Sequence, residues 1–154
     1  YARAIQDYEE SIRLDPEDTI TYYNRGIAYG ELDQYERSIQ DFGEAIRLDS
    51  EGTRAYYNRG LAYINLGQHE QAIEDFGEYI NRYPWDAIAY FYRGYGYSEL
   101  GQYARAIQDY DEAIRLDPED EFAYFSRSLA YTALGKTEKA EQDFSKAKEL
   151  GYNP

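Results

Sequence analysis

The sequence predicts an all-α fold, an array of antiparallel helix-turn-helix repeats of the solenoid kind. Three observations carry that expectation. A 34-residue unit recurs along the whole chain. Within each unit, apolar and aromatic residues fall at three- and four-residue steps. Gly or Leu-Asp-Pro strings then interrupt the pattern at helix-length intervals. No alternating strand pattern competes.

The period is read by self-comparison. YARAIQDYEESIRLDPED at Tyr1 to Asp18 returns as YARAIQDYDEAIRLDPED at Tyr103 to Asp120, a displacement of three periods. Intermediate copies begin at Tyr35 and His69, and a second string recurs from Tyr22, Tyr56, Tyr90 and Tyr124. The chain therefore divides into a half unit, 1–18, holding a second helix only, then units 19–52, 53–86 and 87–120, and a C-terminal capping unit, 121–154.

In the first helix of a unit, Tyr22, Arg25/Gly26, Tyr29 and Leu32 lie along one helical stripe. The helix breaks around Asp33, Gly67, Gly101 and Gly135, as Gly does at a left-handed C-terminal cap. In the second helix Ala72, Phe76 and Tyr79 keep helical spacing, with Ile73 and Ile80 alongside. That helix stops at Leu-Asp-Pro, because the residue before a proline avoids the α region. The acidic pairs after Pro16 and Pro118 suit the first turn of the next helix, where the macrodipole favours negative charge. Small residues let the two helices approach: Gly26, Gly60, Gly94 and Ser128 on the first, Ser38, Ala72, Ala106 and Ala140 on the second.

This pattern resembles the tetratricopeptide repeat family, whose unit has the same length, with an aromatic, Gly and Tyr on the first helix and Ala, an aromatic, Ala and Pro on the second. The resemblance covers the chain four times over and implies a right-handed superhelical array. Departures are Arg25, Arg59, Arg93 and Arg127 where the family has Leu, Ser50 for Pro, Tyr79 for a small residue, and His69 and Thr137 for Tyr. Tyr79 should face Ala89 and alter the junction between the second and third units.

The ends differ. Glu141 and Lys148 replace isoleucines in the last helix, as a polar cap requires. Ile5 and Ile12 keep the internal pattern in the opening helix, so a longer array is expected, with an array that begins here as the alternative. The uncovered Ala4, Tyr8 and Ser11 should drive weak self-association through this helix.

Composition narrows function. No Cys excludes disulfides, thiolate metal sites and a thiol nucleophile, and it leaves the compartment unread, with the cytoplasm favoured. A net charge of −14 works against nucleic acid and anionic membranes, and no apolar run is long enough to span a bilayer. The single His69 reads as a packing residue, and the acidic runs lack the spacing of a calcium loop. No catalytic constellation, metal site or cofactor is expected. Arg25, Arg59, Arg93 and Arg127 should pair with the aspartate column as a structural ladder, because lone buried charges are costly. The pairing favoured is with the preceding unit: Asp7 to Arg25, Asp41 to Arg59, Asp75 to Arg93 and Asp109 to Arg127, leaving Asp143 alone. An anion-binding row of arginines is the rival reading.

The family resemblance implies that first helices line a groove, here Tyr23, Asn24 and Ile27, then Arg54, Tyr57, Asn58 and Leu61, then Ile88, Phe91, Tyr92 and Tyr95, then Phe125 and Leu129, with Phe122 and Ser126 beside them. Asn24 and Asn58 match the asparagine that holds a peptide backbone, while the basic residues of a carboxylate clamp are missing. The function expected is a protein-protein interaction scaffold for an apolar segment carrying basic residues. The alternatives are a self-associating spacer and a regulatory segment of a larger protein.

Overall fold

The computed structural model describes residues 1–153, which form nine α-helices and no strand. They group into two compact units. The first, Tyr1–Arg82, holds α1 (Ala2–Leu14), α2 (Thr19–Gly30), α3 (Tyr35–Leu48), α4 (Thr53–Asn65) and α5 (His69–Arg82). The second, from Tyr83 onward, holds α6 (Ala87–Glu99), α7 (Tyr103–Leu116), α8 (Glu121–Ala133) and α9 (Thr137–Leu150). The hairpins are α2/α3, α4/α5, α6/α7 and α8/α9. The helices α1, α3 and α7 also contact the first helix that follows them.

Helix ends sit where local chemistry puts them. Asp33, Gly67, Gly101 and Gly135 all adopt left-handed backbone, with φ of 56°, 69°, 71° and 70°. The next amide N–H then donates back to a first-helix carbonyl, as Gln68 does to Tyr63 at 2.9 Å. Asp33 is the one non-glycine in this conformation among the described residues. At the Leu-Asp-Pro stops, the Asp15 and Asp117 carboxylates accept from the N–H of Glu17 and Glu119. The acidic residue after each proline acts one step earlier than expected. Asp18 and Asp120 are N-caps rather than first-turn residues, and Asp86 caps α6 the same way.

The core of the first three hairpins is an aromatic ring seated on a glycine; the fourth has Ser128 in that place. A Cβ built on Gly26 would lie 2.8 Å from the Phe42 ring, on Gly60 3.1 Å from Phe76, and on Gly94 2.9 Å from Tyr110. Those rings are essentially buried, at 2%, 0% and 1% exposure. Full burial of such a side chain contributes roughly 1.5–3 kcal/mol. In the first hairpin the Ser38 hydroxyl, itself buried, donates to the Gly26 carbonyl at 2.8 Å and ties the crossing together.

The arginine ladder exists, but its register differs from the one expected. Arg25 pairs with Asp41, Arg59 with Asp75, Arg93 with Asp109 and Arg127 with Asp143, each bidentate at 2.7–2.8 Å and each inside its own hairpin. Asp143 is therefore paired, while Asp7 is exposed and has no ion pair among the described residues. The cause lies at the crossing. Arg25 adjoins Gly26 and Asp41 adjoins Phe42, so the pair flanks the contact between glycine and ring. Arg127 also bonds to the preceding repeat, where it meets Asp111 at 2.6 Å rather than Asp109. Burial opposes the charge on Arg127, yet its bonds to Asp143 and Asp111 hold its pKa above the usual arginine value.

Tyr79 packs its ring on Tyr57, with centroids 5.0 Å apart. The last hairpin is closed by more than polar substitution. Lys148 lies 4.3 Å over the Phe144 ring, and Tyr152, beyond the left-handed Gly151, stacks on Phe125 with centroids 4.1 Å apart.

Candidate functional site

On each first helix the stripe carrying Arg, and the tyrosines three before and four after it, faces the ladder. The opposite side remains for other work. In the first unit that side presents Tyr23, Asn24 and Ile27 from α2, with Arg54, Tyr57, Asn58 and Leu61 from α4. Between them lies a hollow of about 240 Å³, bordered by Ile27, Gly30 and Glu31 on one helix and Asn58, Leu61 and Asn65 on the other, with Ser38 and Phe42 of α3 beneath.

The tyrosines here belong partly to the scaffold. Tyr23 tilts against Phe42 at 5.8 Å, and Tyr57 meets Phe76 edge-on at 5.6 Å. The Asn58 amide donates to the Tyr23 hydroxyl at 2.9 Å and to the Arg54 carbonyl at 3.1 Å, so both its hydrogens are engaged. Asn24 is half-buried and makes no side-chain hydrogen bond among the described residues. Arg54 is exposed.

In the second unit Ile88 and Phe122 are 56% and 55% exposed, and Leu129 is 53% exposed. Phe91 leans on Tyr110 at 5.9 Å and meets Tyr92 edge-on at 5.5 Å. A recess of about 620 Å³ is lined by Ile88, Phe91, Tyr92 and Phe122 together with Asp117, Glu119, Asp120 and Glu121. Tyr95 and Leu129 do not border it, and Phe125 is covered by Tyr152.

The acidic rim is held by backbone. Asp120 accepts from the N–H groups of Phe122 and Ala123 at 2.9 and 3.2 Å. Burial raises its pKa against the pull of those bonds. The sequence placed these acids only at helix ends. The signal that would have joined them to Ile88 is the period itself, since Ile88 and Phe122 occupy the same place in successive units. Tyr152 carried no such signal, because it lies past the last repeated helix.

Helical hairpins with a polar ladder paired inside and apolar side chains left on the outer first-helix face define a repeat scaffold of the protein-interaction class. Models of the tetratricopeptide repeat match residues 53–86 and 87–120 and residues 109–142, and a TPR repeat model matches 1–33 and 31–67. The chain belongs to the tetratricopeptide repeat family.

Solved structures agree with this assignment. One crystal structure of MamA is 28% identical, covering 95% of this chain and 85% of that one, with a TM-score of 0.92. MamA 41-end from Desulfovibrio magneticus RS-1 is 25% identical over 97% of this chain and 84% of its own, with a TM-score of 0.93. YrrB, described as a TPR protein with an unusual peptide-binding site, is 23% identical over 97% of this chain and 77% of its own, with a TM-score of 0.91, a likeness of fold alone. No curated protein matches the sequence. Among the described residues, no helix is long and apolar enough to cross a membrane.

Proposed function

We propose that this chain acts by binding, and that its first-helix faces hold a peptide segment with apolar side chains and neighbouring Lys or Arg. The observation that carries this reading is the second-unit recess, where exposed Ile88 and Phe122 stand beside Asp117, Glu119 and Glu121. An apolar anchor would enter between the rings, and a basic side chain would meet the carboxylates. The hollow between Ile27 and Leu61 offers a second, smaller apolar contact. The fold-relative YrrB, described as having a peptide-binding site, supports the class of ligand. A net charge of −14 speeds encounter with basic partners and disfavours nucleic acid and anionic membranes.

The test is selection from a displayed library of random peptides, followed by fluorescence anisotropy with the enriched sequences. Enrichment of apolar residues next to Lys or Arg is expected. Binding should weaken at least about tenfold in Ile88→Asp with Phe122→Asp, since a few buried anchors carry most interface energy. Both residues are exposed, so helicity should not change. Enrichment of acidic peptides, or full binding by that variant and by Leu61→Asp, would remove the proposal.

A further inference from the structure

The recess at Ile88 and Phe91 has a counterpart one period along the chain, and there the structure shows what fills it. Phe122 and Phe125 stand one repeat after Ile88 and Phe91. On them lies the ring of Tyr152, stacked on Phe125 with centroids 4.1 Å apart and 20° between the planes, and edge-on to Phe122 at 6.1 Å. Tyr152 reaches this seat because Gly151 turns left-handed after α9, at φ 116°, and folds the chain back towards α8. The Tyr152 N–H donates to the Ala147 carbonyl at 3.0 Å, which holds the turn.

The open recess repeats the seat without that ring. Phe91 leans on Tyr110, and Phe125 on Phe144, at the same 47° and with centroids 5.9 and 6.2 Å apart, so the ring beneath holds both in one pose. Pro118 occupies the place of Tyr152, and Asp117 that of Gly151. Asp117 has extended backbone, at φ −131°, which leads the chain on into α8 instead of back over the seat. Tyr92 meets Phe91 edge-on at 5.5 Å and adds a second ring to the wall. The rim differs too: Asp117 and Glu119 are carboxylates where the filled seat has Gly151 and Asn153.

We propose that the anchor this recess takes from a partner is an aromatic side chain, stacked on Phe91 as Tyr152 stacks on Phe125. The inference rests on the peptide-binding reading of the recess and names the kind of side chain that enters it. Lysine beside the anchor in the partner's sequence meets the acidic rim. An aliphatic anchor of equal size buries comparable area but forgoes the stacked contact between rings.

The chain's own residues 146–153 supply the probe, since they carry Tyr152 with Lys146 and Lys148. This peptide is titrated into the full 154-residue chain, and binding is followed by NMR at the labelled methyl groups of Ile88. Their signals should move and saturate. Tyr152→Leu in the peptide should weaken binding about fivefold or more, because a stacked aromatic pair adds to simple burial. In Phe91→Leu of the chain the difference between the two peptides should vanish, a readout that a general loss of stability would not give.

Equal binding of the two peptides by the unmodified chain overturns the aromatic anchor and leaves the apolar reading of the recess standing. A difference that persists in Phe91→Leu overturns the stacking on Phe91. Library peptides that bind through Ile88 and Phe122 while this probe does not also overturn the proposal, whereas failure of both removes the two readings together.

Discussion

Two substitutions of the same kind, Asp41→Asn and Asp7→Asn, separate the observed ladder from the register that the sequence suggested. Asp41 accepts both Arg25 nitrogens at 2.7 Å, and the two side chains are 6% and 17% exposed. Removing one partner of a fully buried pair costs about 3–5 kcal/mol, and of a surface pair about 0–1. Arg25 keeps some water and lies near the faces of Tyr22 and Tyr29, at 5.7 and 5.8 Å, which still favour its charge. The cost for Asp41→Asn therefore falls at about 2–3 kcal/mol, or roughly 5–10 °C of melting temperature in a chain of this size. Asp7 is exposed and unpaired among the described residues, so Asp7→Asn should stay within about 0.5 kcal/mol. The exposed Glu10→Gln, which loses its bond to Arg13, should do the same. Replacing both Arg25 and Asp41 with Leu should recover much of the loss, because no charge is left stranded. Thermal melts by far-UV circular dichroism and urea titrations give all four values. An Asp7→Asn cost equal to that of Asp41→Asn would refute the observed register and restore the pairing across units.

Asp33→Gly should raise stability by about 1 kcal/mol, since a non-glycine in left-handed backbone costs about that much, less what is lost with the 2.7 Å bond from Tyr35; a fall in denaturation midpoint would contradict this. Gly94→Val should cost at least about 2 kcal/mol, because its side chain would enter the Tyr110 ring and the Ala106 carbonyl, whereas Gly101→Ala should cost less and act only through its positive φ. Tyr110 is held above the ordinary phenol range first by burial, against the lowering bonds from Ser98 and Ser126. A phenol raised in the folded state keeps its contribution below pH about 10, and loses it as pH climbs through the folded value. Stability should thus fall steadily in alkali, and Tyr110→Phe should flatten the slope measured by urea midpoints from pH 8 to 11.

Periodicity made the helices legible, because apolar stripes and helix stops are local properties and each unit repeats them. The partner of each arginine was not legible from the stripe. A stripe names a face but not which of two flanking second helices it meets. The neighbours of the charges held the answer, since Arg25 precedes the glycine and Asp41 precedes the ring that cross one another. Asn58 matches the asparagine that the family resemblance sets against a peptide backbone, and here its amide donates to Tyr23 and Arg54. Tyr23 and Asn58 lie 35 residues apart, one period and one step, and meet only when first helices stack. The acidic rim of the second recess was missed for the same reason: Asp117 and Glu121 join Ile88 through stacking, which no single helix reveals.

The ladder accounts for seven of the 20 tyrosines. Arg25, Arg59 and Arg127 each lie 5.5–5.9 Å from two tyrosine rings, three residues before and four after on the same helix, and Arg93 lies 5.5 Å from Tyr90. Each guanidinium thus has a bidentate carboxylate and lies over at least one tyrosine ring, an arrangement that Leu or Met beside it could not supply. The ladder is also electrically closed. It uses four cations and four anions, so the whole net charge of −14 rests on side chains outside it. That field is screened within about 8 Å at physiological salt. Capture of a basic peptide at the second recess should therefore weaken as salt rises, through slower association, while the ladder and the fold it holds stay intact. Stopped-flow association rates that do not change between 20 and 500 mM salt would show that apolar contact alone guides the encounter.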